Sequence, residues 1–455
     1  MHSTLQPTLK QKKTSMMNHR AHILVGLGFG DEGKGTMTDW FCRESKPNLV
    51  VRYNGGAQCG HNVITPEGKH HCFSQYGSGT LAGVDTLLSK FMMVNMYSLA
   101  HEAAYLAPLY PDKNPVDMVM IDGRAPILTP YHVMANQLKE FMRGNARHGS
   151  CGKGIGELGY DMVHHPDEVL HAMDLRDQDK TLDTLQRIRA RKTHDLIMMG
   201  IGNLPMNHKL SQIFRKEFEE RKGVEDAAIL LKIANRYNIL EPDRVNDLVR
   251  TSDVVMEGAQ GVLLDEWKGF HPHTTWSNIT VENAYAILTE ARWSGEIETT
   301  GIIRAYATRH GAGPFPSHQD GMLKINPLEH NQRNDFQGSF RVGDFDFVLF
   351  DYACRCIPQL TNIAFTHADM VDRLTGVCWS YQFDNGKQLD TLQLSSGHDL
   401  SHQTTLNDTL TRVKALRTAP PSGGLDGLID AVKTCANRPV AYISSGPTAH
   451  TKQRC

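Results

Sequence analysis

Residues 21–45 constrain the fold more than any other part of the chain. The apolar run AHILVGLG at 21–28 reads as a buried strand ending in glycines, and the segment after Lys34 reads as a helix. Between them lies GFGDEGKG, a loop dense in glycine. A strand, a glycine loop and a helix in that order point to an α/β sheet with ligands at the strand ends. NLVVRYNGG at 48–56 repeats the pattern of an apolar strand running into a small polar loop. DVVMEGAQG at 253–261 and VAYISSGP at 440–447 do so again.

The first loop is close to the phosphate-binding pattern G-x-x-x-x-G-K-[ST]. Gly28, Gly33 and Lys34 fall on it, but Gly35 stands where the hydroxyl should be. Glycines let backbone N–H groups approach a phosphate, and the helix N-terminus adds a favourable dipole. Lys34 can neutralise phosphate charge. Without a hydroxyl at residue 35, magnesium needs another oxygen ligand. Asp31 can serve as that ligand, or as a base on a substrate lying against the phosphates. Gly35 also argues against a P-loop GTPase switch or partitioning ATPase, which needs the hydroxyl.

Three further loops carry chemistry. YNGGAQCGHNV at 53–63 places His61 directly after Gly60, as a candidate acid or phosphate-polarising group. In EGAQG at 257–261, Gln260 can both donate and accept hydrogen bonds. In AYATRHGAGPFPS at 305–317, Arg309 is suited to a carboxylate or phosphate.

Bulk properties exclude several classes. The 455-residue chain has a net charge of -2, so no basic face for nucleic acid is implied. No apolar run reaches the ~18 residues of a membrane helix. The nine cysteines are scattered, the closest pair being Cys354 and Cys356. The expectation is therefore reduced thiols and a cytoplasmic protein. Residues 1–20 are expected to be a disordered tail, and 21–455 one domain. The charged stretch from about 160 to 250 reads as helices with solvated faces. Asn385-Gly386 signals a hairpin. His271 and His273 in FHPHTTW lack further ligands at metal spacing and read as a pocket wall rather than zinc ligands. His70-His71 and His164-His165 read as surface pairs.

Together the loops resemble the adenylosuccinate synthetase family. GDEGKG, RYNGG…GHN, GKGIG, EGAQGVLLD, TRHGAGPFP, TNIAFTHAD and SSGP match its motifs in order over about residues 22–449. The resemblance implies an α/β fold: a central, mostly parallel sheet with P-loop-like GTP-binding loops, flanking helices and a smaller C-terminal α+β region. It implies a homodimer that joins L-aspartate to the 6-carbon of IMP, with GTP as co-substrate and Mg2+ as cofactor. Asp31 would be the general base on the purine N1 and a magnesium ligand, with Gly60 as a second magnesium contact. His61 would stabilise the leaving β-phosphate, and Gln260 the charged intermediate. Gly30, Glu32, Gly33, Lys34, Gly35, His367, Asp369, Ser445 and Gly446 would hold GTP, Asp369 accepting from the guanine donors.

The acceptor half departs from the family. Gln58 stands where the family has Asn, and Cys151 where it has Thr. His165 falls near the Arg supplied across the dimer, while Thr275 keeps a family threonine. The arginine-rich loop is here NDFQGSFRVGDFD, with only Arg341, and His367 replaces a Lys. Gln58, Cys151, Thr275, Arg309 and Arg341 are the expected substrate-side residues. Two variants of the chemistry follow: dGMP as acceptor, as in phage-type enzymes, or a carbonyl that is not a nucleotide. A catalytically dead homologue is disfavoured, because Asp31, Lys34, His61 and Gln260 are all present.

Overall fold

The computed structural model describes residues 19–110, 113–144, 149–322, 325–327, 329, 331, 338–395 and 397–455. The expected tail at 1–20 lies outside them, save for His19 and Arg20. The strands are β1 (Arg20–Gly26), β2 (Leu49–Arg52), β3 (His61–Ile64), β4 (His70–Phe73), β5 (Asp85–Leu88), β6 (Val119–Asp122), β7 (Asn238–Leu240), β8 (Val254–Glu257) and β9 (Glu296–Arg304). There follow β10 (Ala307–His310), β11 (Phe340–Gly343), β12 (Phe345–Asp346), β13 (Asn362–Thr366), β14 (Val377–Phe383), β15 (Gln388–Leu389), β16 (Val413–Thr418), β17 (Val440–Ser444) and β18 (Lys452–Arg454).

Ten strands form one sheet in the order β18-β17-β13-β9-β1-β8-β2-β5-β6-β7. Every pairing is parallel except β17 with β18. Parallel strands are covered on both faces, so they read as unbroken apolar runs. Ile23, Leu24 and Val25 of β1, Leu49, Val50 and Val51 of β2, and Val254, Val255 and Met256 of β8 are all buried. Because the strands run one way, the loops after β1, β2, β8, β9, β13 and β17 all leave from the same edge. Strand β1 sits between β8 and β9, so the order reverses around it and opens a crevice there.

Helix α1 (Lys34–Ser45) follows the first loop and packs on the sheet through Met37, Trp40 and Phe41. Helices α2 (Met96–Leu106), α3 (Pro130–Arg143) and α5 (Gln178–Met198) build a second apolar cluster beside β6 and β7, and α4 (Ile155–His164) adds Ile155 and Leu158 to a smaller one with Met93, Leu128 and Val169. The C-terminal region has its own small sheet of β12, β14, β15 and β16, with helices at 347–356, 400–411 and 424–436. Asn385-Gly386 closes the β14–β15 hairpin, as expected.

Two expectations need correction. The charged helices do not present only solvated faces. Lys192 of α5 is wholly buried, its Nζ 2.8 Å from Asp161 and 2.9 Å from Glu157 of α4. An ammonium survives burial there because two carboxylates neutralise it. His70 and His71 are not both at the surface. Strand alternation sends His71 inward, where its Nε2 lies 3.3 Å from the Glu102 carboxylate. His164 is exposed and His165 half-buried.

Candidate active site

The acid pair in the first loop divides into two roles. Glu32 turns inward and is almost completely buried. Its Oε1 accepts from the backbone amides of Gly28 (3.0 Å) and Gly30 (2.7 Å), and its Oε2 from Lys34 Nζ at 2.5 Å. The carboxylate therefore holds the loop in a tight turn and positions the lysine. Asp31 turns outward with a left-handed backbone, φ 60°. Its carboxylate is about a quarter exposed and lies 2.9 Å from His310 Nε2. Burial by itself would raise the Asp31 carboxyl. The His310 hydrogen bond and charge, with Arg304 and Lys34, outweigh it and hold the group below its ordinary value. Asp31 is thus a carboxylate at neutral pH, able to take a proton or offer oxygen to magnesium.

The second loop places His61 against the end of β8. His61 Nδ1 donates to Glu257 Oε1 at 2.6 Å, which leaves Nε2 as the free ring nitrogen. Glu257 also accepts from Ser78 N at 2.9 Å, and Arg52 Nε lies 4.0 Å away. Burial pushes the imidazole pKa down against the pull of Glu257, with Arg52 and Lys34 adding to the depression. Burial would raise Glu257, but the charges of His61 and Arg52 and the hydrogen bonds bring it to about 2. Glu257, the first residue of EGAQG, is a site residue that the sequence does not single out. The signal was a charged residue as the last position of a strand otherwise wholly apolar.

The missing hydroxyl at residue 35 now has a physical reason. A Cβ on Gly35 would lie 2.8 Å from His61 Cβ and 3.1 Å from its carbonyl carbon. The first turn of α1 and His61 approach so closely that only glycine fits between them. The EGAQG loop packs on the first loop in the same manner. A Cβ on Gly261 would meet the Gly28 carbonyl oxygen at 2.1 Å. Gln260 also has a left-handed backbone, φ 60°, and its buried Oε1 has no partner among the described residues. Both amide atoms of Gln58 are likewise buried and unpartnered. Three orphaned polar atoms on facing loops are what a polar ligand would satisfy.

Of the residues expected on the nucleotide side, Gly33, Lys34 and Gly35 form the N-terminus of α1 itself. Thr366 Oγ1 donates to the Glu32 carbonyl at 2.6 Å, joining the end of β13 to the first loop. His367 follows in a left-handed conformation and caps the turn Ala368–Arg373. Burial holds its imidazole well below the ordinary value, helped by Arg304 and Lys452. Asp369 is exposed. Thr36 Oγ1 of α1 donates to the Pro447 carbonyl at 2.8 Å, so the Ser445–Gly446 loop lies beside the same helix end. Lys452, unremarked in the sequence, donates to the Thr448 carbonyl at 2.8 Å and ties that loop down. Burial lowers its pKa to about 8.

The acceptor side is assembled differently from expectation. Cys151 is half-buried just before α4, in the loop ending at Gly154, and Thr275 is half-buried with its N–H bonded to the Leu264 carbonyl at 2.8 Å. Arg309 and Arg341 face each other across the β10–β11 pair. Arg309 spends all three nitrogens on carbonyls, whereas Arg341 uses Nη2 alone and its buried Nε has no partner among the described residues. Arg309 is buried and donates to the carbonyls of Pro314 (2.8 Å), Ala312 (3.2 Å) and His273 (3.4 Å) while lying 4.1 Å over the Phe29 ring. Arg341 donates to Gly311 (2.6 Å) and Gly313 (3.0 Å). The two arginines shape the GAGP backbone in this conformation. Most of the loop preceding β11 lies outside the described residues. No group of three potential metal-ligating side chains occurs among the described residues. Magnesium at a nucleotide takes one or two protein oxygens plus phosphates. The outward Asp31 carboxylate and the exposed Gly60, directly before His61, suit such a site.

A family model for adenylosuccinate synthetase matches residues 23–452. The adenylosuccinate synthetase of Thermoplasma volcanium is 30% identical over 448 residues, 94% of this chain and 96% of the relative. That of Clostridium beijerinckii is 29% identical over 378 residues, 80% of this chain and 82% of the relative. Among solved structures, fully ligated adenylosuccinate synthetase from Plasmodium falciparum superposes with a TM-score of 0.74 at 18% identity, covering 96% of this chain and all of the other. The succinoaminodeoxyadenylate synthetase of cyanophage S-2L, bound to dGMP and to dATP as an energy donor, gives 0.58 at 13% identity, covering 96% and 95%. With its motifs in order and their loops on one edge of a parallel sheet, this chain belongs to the adenylosuccinate synthetase family of ligases.

Proposed function

We propose that this chain is a GTP-driven C–N ligase that joins L-aspartate to the 6-carbon of IMP, giving adenylosuccinate, GDP and phosphate. The observation that carries the reading is that the His61–Glu257 pair packs against Gly35 in the first turn of α1, while Asp31, in the loop leading into that helix, presents a partly exposed carboxylate. The Gly30–Gly35 loop and Lys34 receive the triphosphate, and Asp369, Ser445 and Gly446 the guanine. Asp31, ionised, takes the N1 proton of the purine lactam. The 6-oxygen then attacks the γ-phosphorus, and the bond to the β-phosphate oxygen breaks. The negative charge of the bound triphosphate favours the imidazolium form of His61, in which Nδ1–H is held by Glu257 and Nε2–H donates to the departing oxygen. Gln260 offers its amide to the 6-phosphoryl intermediate. The aspartate amine displaces phosphate, a far better leaving group than oxide. Mg2+, held by Asp31 and the Gly60 carbonyl, would supply charge neutralisation on the phosphates.

A second reading is favoured by the acceptor side. Gln58 and Cys151 differ from the family, and Arg309 and Arg341 are committed to carbonyls. The same chemistry on dGMP fits these changes, and the S-2L neighbour was solved with dGMP. The deciding experiment is phosphate release with GTP, magnesium and L-aspartate across IMP, dGMP and no acceptor, with ATP or dATP as alternative donors. Stimulation by IMP supports the first reading and stimulation by dGMP alone the second. Stimulation by neither, in protein that still binds GTP, rejects both and leaves a carbonyl that is not a nucleotide. We propose further that the protein works as a homodimer in the cytoplasm, checked by light scattering and cell fractionation.

A further inference from the structure

We infer that His310 is a positioning residue that holds the Asp31 carboxylate in its working orientation and links it to the acceptor-side loop. The inference rests on the reading of Asp31 as the base.

Asp31 occupies an unfavourable backbone region for a residue with a Cβ, at φ 60°. Such a residue persists where its surroundings over-determine it. Two contacts from one stretch of chain do so. Arg304, the last residue of β9, donates from Nη1 to the Asp31 carbonyl at 3.0 Å. His310, the last residue of β10, meets Asp31 Oδ2 from Nε2 at 2.9 Å. A carboxylate only accepts, so Nε2 carries the hydrogen. One carboxylate oxygen is thereby fixed, and the other is left for the lactam proton.

His310 is itself held by its neighbours. Its ring lies 4.8 Å from that of Phe340 on β11. Gly311–Pro314 follow it directly, and their carbonyls are gripped by Arg309 and Arg341. The base therefore takes its orientation from the hairpin that also forms the acceptor-side wall. Displacing that hairpin would release the Asp31 carboxylate, so the geometry of the base follows the state of the acceptor loop.

The test compares His310→Gln, whose amide nitrogen can reach the place of Nε2, with His310→Leu. The leucine variant should lower kcat by roughly tenfold to a hundredfold, the scale of a misplaced catalytic group, with KM for GTP unchanged. The glutamine variant should restore most of the loss. Equal loss in both variants, or a change confined to KM for GTP, overturns the proposal. A second measurement does not depend on turnover. The imidazole 1H–15N signals of His310, identified by their absence in His310→Gln, should show a hydrogen-bonded Nε2–H in the wild type that is lost in Asp31→Ala, which leaves no acceptor. Signals unmoved by Asp31→Ala mean no contact and overturn the proposal. Wild-type protein that releases no phosphate with any acceptor rejects the proposed function alone, and the spectra still decide whether His310 holds Asp31.

Discussion

Replacing Glu257 by Gln should damage stability and catalysis together, with a distinctive dependence on pH. The carboxylate accepts from His61 at 2.6 Å and Ser78 N at 2.9 Å, and it is the negative charge nearest the buried Arg52. Breaking a buried charge pair by removing one partner costs ~3–5 kcal/mol. A second route gives a similar figure. A carboxyl moved from 4.5 to about 2 corresponds to roughly 3 kcal/mol at 1.36 kcal/mol per tenfold. Because the folded-state pKa is depressed, this contribution is complete above pH 4.5 and is lost as pH falls toward 2. His61 acts in the same sense. Its lowered pKa means that the unfolded chain binds the proton first, so stability already begins to fall below about pH 6.5. Denaturant unfolding should therefore show Glu257→Gln less stable by about 3 kcal/mol at pH 7, with the gap to wild type narrowing below pH 4.5. The neutral glutamine also removes the charge that supports a doubly protonated imidazole, so His61 can no longer be held through Nδ1–H while donating from Nε2. Phosphate release should drop ~10²–10⁴-fold. A variant within threefold of wild-type kcat, with a stability gap that does not change with pH, would refute the reasoning.

Asp31→Ala should abolish turnover and leave the circular dichroism spectrum and GTP binding in place; near-normal phosphate release would remove Asp31 from the role of base. Gly35→Ser, which restores the usual P-loop hydroxyl, should destabilise by about 1–3 kcal/mol and lower kcat, since its Cβ would press on His61; unchanged melting and activity would mean the two segments are looser than described. Asp369→Asn should weaken discrimination between GTP and ATP, read as the ratio of kcat/KM values; an unchanged ratio means that the guanine is recognised elsewhere.

Much of the fold and part of the site were legible in the sequence, for local reasons. The buried strands are apolar runs that end in glycine-rich loops, and a parallel sheet brings such loops to one edge. That is why Asp31, Lys34, His61 and Gln260 could be singled out, and why Gly35 could be read as a departure from a switch GTPase. Pairings between distant segments were not legible. Glu257 is 196 residues from His61, and nothing local marks it as the partner of that imidazole. His310 stood inside a quoted motif, yet only the β9–β10 turn aims it at Asp31. Arg309 and Arg341 looked like free anion binders by residue type, and the tertiary structure turned them onto loop carbonyls. His71 was decided by strand alternation and Lys192 by the carboxylates of a neighbouring helix. Sequence determines which residues stand at strand ends, because burial and turn chemistry are local. Which of those side chains meet is set by close packing between loops far apart in the chain, and that only the folded sheet supplies.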